Sequence, residues 1–136
     1  MPTPVLSNAL LNARAGTLAT LLNAGHKLKL FVNNILPTPA TPLGAFTEAS
    51  FPGYLAADLA GAFGAPVKVQ DGQYQIATGF FTFTCTAAPG QTVYGWWIDD
   101  AANVKMAQAF DSPVSIAVGS PYMLQVQPQE ISQSIL

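Results

Sequence analysis

The sequence predicts a mainly β protein: an antiparallel β-sandwich or barrel of about eight short strands, preceded by one N-terminal helix. Three observations predict it. A stripe of leucines at helical spacing runs through the first two dozen residues. After that, aromatic and β-branched residues alternate with polar ones at period two, the mark of a half-buried strand. Turn signals such as Pro52-Gly53, Asp71-Gly72 and Pro89-Gly90 then recur at short intervals.

Pro2 and Pro4 keep the lead, residues 1–6, out of any helix. Ser7 or Asn8 can cap the helix that follows, by accepting a backbone N–H. Leu11, Ala15, Leu18 and Leu22 fall on one face, and Leu10 and Leu21 widen the stripe. Gly25 suits a left-handed stop. The helix is therefore expected over about 7–24, and its apolar face needs cover from its own sheet or from a neighbouring subunit. His26–Asn33 reads as the first strand, with Leu28, Leu30 and Val32 on one side. Pro37, Pro39 and Pro42 exclude a central strand over 34–43 and leave an extended arm.

Phe46–Tyr54 resembles a short edge strand, and Leu55–Phe63 fits a short helix or a loop equally well. Asp71-Gly72 between Pro66–Gln70 and Gln73–Thr78 is a hairpin signal, with Val67, Val69, Tyr74 and Ile76 as its buried side. Gly79–Asp100 reads as a second hairpin that turns at Ala88-Pro89-Gly90-Gln91 and nucleates the core. Further strands are expected at Val104–Phe110, broken by Asp111-Ser112-Pro113, then at Val114–Val118 and Tyr122–Val126. Pro128 ends the last, and a weakly patterned tail runs over 129–136. The organisation is thus a lead and helix over 1–25, serving assembly, and a β domain over 26–136 with its Pro-rich arm at 34–43.

Half of the residues are apolar and only 9 % are charged, against about a quarter in ordinary soluble domains. Such a chain is expected to bury surface against copies of itself or a partner. Five basic residues and a net charge of −2 argue against nucleic acid as a partner. No apolar run reaches the ~18 residues that span a bilayer, so no membrane partner is expected. The start lacks the basic and apolar stretches of a signal peptide, so folding in a cytoplasm is expected.

Catalytic chemistry finds little support. His26 is the only histidine and reads as a surface or capping residue beside the helix end. No Gly-x-Ser-x-Gly elbow accompanies it. Cys85 is the only cysteine and lies on the apolar face with Phe81 and Phe83, which suits a buried structural thiol. Asp99 and Asp100 read as two acids that start a turn. Calcium on Asp99, Asp100 and Asn103 is conceivable, but the spacing fits no calcium loop. Gly61 and Gly64 have the wrong spacing for a phosphate loop. No catalytic, cofactor-binding or metal-binding residue is assigned. Trp96 shares a face with Tyr94 and Ile98 and is expected in the core. Trp97 points the other way, with Phe80 as an outer neighbour, and together they form a candidate aromatic platform for a glycan or protein partner.

The opening from Leu6 to Phe51 resembles a family of small tailed-phage virion proteins. Their pattern is a Ser-x-Ala-Leu-x-Asn-Ala helix, a Gly, a Lys-Leu-x-Leu/Ile-Tyr-type strand and a Pro-rich turn. Ser7, Ala9, Leu10, Asn12, Ala13, Gly25, Leu28, Leu30, Phe31 and Pro37 occupy those places, with Phe31 replacing the usual Tyr. Residues 93–110, VYGWWIDDAANVKMAQAF, resemble a strand-turn-strand unit of small phage structural proteins. The resemblance implies a non-enzymatic virion component, such as a capsid decoration, head-fibre or tail-associated subunit. Its partners would be copies of itself and other virion proteins. The assembly contacts are expected at Leu11, Leu18 and Leu22 of the helix and at Pro37, Pro39 and Pro42 of the arm. The rival expectation is a glycan-binding or receptor-binding module that uses Trp97 and Phe80.

Overall fold

A computed structural model describes residues 5–131. The fold is mainly β, with antiparallel sheets and one N-terminal helix. The expected leads at Pro2 and Pro4 and the end of the tail lie outside the described residues. The chain divides into two compact units. One gathers the chain up to Ala24 with 60–80 and the chain from Gln125 on; the other holds Gly25–Leu59 and Phe81–Leu124.

In the first unit, α1 (Asn8–Leu22) follows an extended Ser7 whose hydroxyl accepts the Leu10 N–H at 3.2 Å. The helix ends at Asn23, and Gly25 takes a φ of +68° two residues on. Leu11, Ala15, Ala19 and Leu22 are its buried residues. They meet a three-stranded sheet in the order β3 (Val67–Gln70), β4 (Gln73–Gln75), β9 (Gln129–Ile131). The apolar face is thus covered by the chain's own sheet.

Two asparagines fasten the helix at its ends. Asn8 Nδ2 donates to Asp71 Oδ1 at 3.1 Å, and Asn8 Oδ1 accepts the Gly72 N–H at 2.8 Å. Asn23 accepts the Phe63 N–H at 2.8 Å and donates to the Phe63 carbonyl at 3.1 Å. The hairpin at Asp71-Gly72 forms, with Gly72 at a φ of +80°. Its buried side differs from expectation. Ile76 is buried and Tyr74 half-buried, but Val67 and Val69 are exposed. Val67 pairs with Gln75, which places it on the opposite face from Tyr74, where Arg14 of the helix reaches Glu130.

The second unit is built on a four-stranded sheet in the order β2 (Ala57–Asp58), β1 (Lys27–Phe31), β6 (Gln91–Asp99), β7 (Val104–Ile116). A two-stranded sheet, β5 (Phe81–Thr84) with β8 (Pro121–Leu124), completes it. The pairing corrects the expected hairpin over 79–100. β5 and β6 do not pair, because β1 and β7 already occupy both edges of β6; β5 finds its partner in β8. Leu55–Phe63 forms no helix and contributes only β2 and a turn. Phe46–Tyr54 makes a single bridge from Glu48 to Phe31.

Tyr54 fills the gap on that edge of β1 between β2 and the bridge. Its hydroxyl accepts the Leu30 N–H at 3.3 Å and donates to Glu48 Oε2 at 2.8 Å. Burial, reinforced by the Glu48 carboxylate, holds that hydroxyl protonated far above the ordinary phenol range. Asp111-Ser112-Pro113 does not end β7. The register runs from Ala109 opposite Gly95 to Val114 opposite Val93, so Phe110–Pro113 bow outward opposite Tyr94.

Candidate functional site

β6 is buried on both sides, and this decides the fate of the aromatic platform. Its register with β1 sets Trp96 against Leu30 and Ile98 against Leu28 on one face. Trp97 meets Lys29, and Gly95 meets Phe31, on the other. Trp96 is in the core, as expected. Trp97 is only 3 % exposed, which corrects the expectation of an outward platform. Phe46 stacks on it with ring centroids 4.8 Å apart, Phe31 lies 6.4 Å away, and Ile35 and Leu43 pack against the same cluster. The Pro-rich arm and the residues after it are therefore the cover. Phe80 is 61 % exposed while Trp97 is buried, so the two do not form the expected exposed platform.

Asp99 serves this cluster. Its buried carboxylate accepts the Trp97 Nε1–H at 2.6 Å and the Ala101 N–H at 3.0 Å, and pairs with Lys29 Nζ at 3.2 Å. Lys29 also lies 5.8 Å from the Trp97 ring centroid. Asp100 turns the chain: one oxygen accepts the Ala102 and Asn103 N–H groups at 2.9 and 2.7 Å, and the other lies 3.4 Å from Lys105 Nζ. Those backbone donors hold its carboxyl down to about 2. Both acids thus make the turn that the sequence implied, and their oxygens are already engaged by N–H and ammonium donors.

Two residues sit differently from their sequence reading or confirm it. His26 is buried rather than superficial, 7 % exposed, and its Nδ1 has no hydrogen-bond partner. Cys85 is fully buried, and its thiol donates to the Ala87 carbonyl at 3.0 Å. Among the described residues, no three His, Cys, Asp or Glu side chains gather as a metal site would require. No described helix is long and apolar enough to cross a membrane.

The expected helix contacts are redistributed. Leu11 and Leu22 are buried in their own unit, so a neighbour cannot reach them; Leu18 is half-buried. The exposed apolar residues of α1 lie on its outer face. Leu10 is 46 % and Leu21 60 % exposed. With Ala13, Thr17 and Leu18 they line a shallow hollow of about 420 Å³, closed at one side by the Arg14–Glu130 ion pair at 3.0 Å. The Thr17 and Thr20 hydroxyls bond back to the Ala13 and Gly16 carbonyls, so these polar groups are satisfied within the helix. Arg14 is the only charged residue of this helix. The sequence carried the signal, since Leu10 and Leu21 widen the stripe beyond one face, but it could not say which side the sheet would cover.

In the arm, Pro39 and Pro42 are exposed and Pro37 is half-buried. Thr38 and Thr41 tie the arm into a local turn, with the Thr38 N–H donating to Thr41 Oγ1 at 2.8 Å. Between the arm and the start of β7 lies a second hollow of about 340 Å³, with Phe46 and Met106 among its walls. Compared with known proteins, the chain matches no family model, no curated protein and no solved structure.

Proposed function

We propose that this chain is a non-enzymatic structural subunit of a phage particle, acting by binding neighbouring subunits. Its place would be that of a capsid decoration, head-fibre or tail-associated protein in the virion, made in the host cytoplasm. The observation that carries the reading is the outer face of α1. A helix whose buried side is already satisfied keeps Leu10 and Leu21 in solvent, folds its threonine hydroxyls inward and carries a single charge. Apolar surface of that kind is a contact surface in waiting. The resemblance of the opening to small virion proteins supports the same reading, as does a surface poor in charge.

The test is a Leu10→Lys/Leu21→Lys variant, assayed for binding to particles that lack the protein. Both leucines are exposed, so the fold is expected to persist while binding to the particles falls at least tenfold. A variant that binds them as the parent does would remove the helix face from the assembly. The glycan-binding alternative is disfavoured by the burial of Trp97 under Phe46.

A further inference from the structure

We propose that two copies of this chain pair edge to edge through β7, antiparallel across a two-fold axis at Gln108. β7 is the last strand of its sheet. β6 holds one edge, and among the described residues no backbone group bonds the other. Proteins usually blunt such edges with charge, proline or a bulge. Here those devices stand only at the two ends: Lys105 at one, and at the other the bow that starts at Phe110 and holds Asp111 and Pro113. Between them, Met106-Ala107-Gln108-Ala109 has no charge and no proline, and its register with β6 is unbroken.

The order of residues points to a second copy as the occupant. With Gln108 opposite the partner's Gln108, Ala107 meets the partner's Ala109, and Met106 faces the partner's Phe110 where the outward bow begins. Lys105 then comes within side-chain reach of the partner's Asp111 in that bow, and the same pair recurs by symmetry. An identical strand thus supplies a complementary charge at each end of an uncharged centre. Moving the centre by one residue in either direction loses both charge pairs, so the charges also fix the register. Both side chains are exposed. Asp111 has no ion-pair partner among the described residues, and Lys105 has only its 3.4 Å contact with the half-buried Asp100.

This deepens the proposed association between subunits, on which it rests, by naming one contact. The helix-face variant separates the two ideas. In the full chain carrying Leu10→Lys/Leu21→Lys, sedimentation velocity is expected to find a dimer. Adding Lys105→Asp, or Asp111→Lys, is expected to halve the native mass. Mixing those two single-charge variants in equal amounts is expected to restore the dimer, since each supplies the charge that the other lost. A failure to fold cannot imitate that rescue. Single variants that stay dimeric, or a mixture that stays monomeric, would overturn the β7 pairing. A parent that associates while the helix-face variant is monomeric would overturn it too, leaving the association reading intact. A monomeric parent would overturn both.

Discussion

Gly95 shows how one missing side chain sets the aromatic cluster. A Cβ there would lie 2.3 Å from the Gln108 carbonyl oxygen and 2.4 Å from the Phe31 ring. Phe31 lies across from this glycine in the register and can be fully buried because nothing projects from it. Gly95→Ala is expected to lower stability by about 1–3 kcal/mol, read as a reduced unfolding midpoint in denaturant. A midpoint equal to the parent's would show that β6 and β7 can part without cost. Asp100 makes a pH-dependent contribution at the adjoining turn. Its folded value, about 2, lies below the ordinary ~3.9 of an unfolded aspartate. A depressed carboxyl stabilises the fold above the unfolded value, and the contribution disappears as pH falls through the folded one. The melting-temperature gap between the parent and Asp100→Ala is therefore expected to be constant above about pH 5 and to close near pH 2. A gap that does not change over that range would assign the turn's stability elsewhere.

At the scale of elements, α1 has two apolar sides with different tasks. Leu11 is fully buried against the sheet and Leu10 is not. Leu11→Ala is expected to cost about 2–5 kcal/mol, whereas Leu10→Ala should stay within about 0.5 kcal/mol; urea unfolding of the two variants measures both. Equal effects would mean that the helix is seated in another rotation. The helix was legible in the sequence because its signals are local: a cap at Ser7, leucines three and four apart, a glycine after the end. The strands were legible for the same reason. Their partners were not, since pairing depends on which edges remain free. The Gly79–Asp100 segment shows this: both strands exist, but β6 spends its edges on β1 and β7. Alternation likewise placed Val67 and Val69 on one face without showing that the helix covers the other. At β7, Asp111-Ser112-Pro113 acts on the ladder as a breaker should. The strand absorbs it as an outward bow because Val114–Ile116 regains its pairing with β6 beyond it.

At the scale of the molecule, the chain starts in the unit that holds its helix, returns to it twice, and fills the other unit between those visits. A cut after residue 25 follows the first passage between units; Ala60 and Gln125 mark later ones that no composition change announces. Trp97 is buried rather than exposed for a related reason. It points away from Trp96, as alternation implies, yet residues some fifty positions earlier in the chain, Phe46 among them, come back to cover it. What stays uncovered carries little charge: the outer side of α1 and the free edge of β7, with Leu36 and Leu55 each about 80 % exposed. Association between copies is the expected consequence. The deciding measurement is the native mass of the purified full chain across a tenfold range of concentration. A species larger than one chain, growing in population with concentration or already closed throughout, is the expected result. A single-chain mass that holds over the whole range would contradict association between copies.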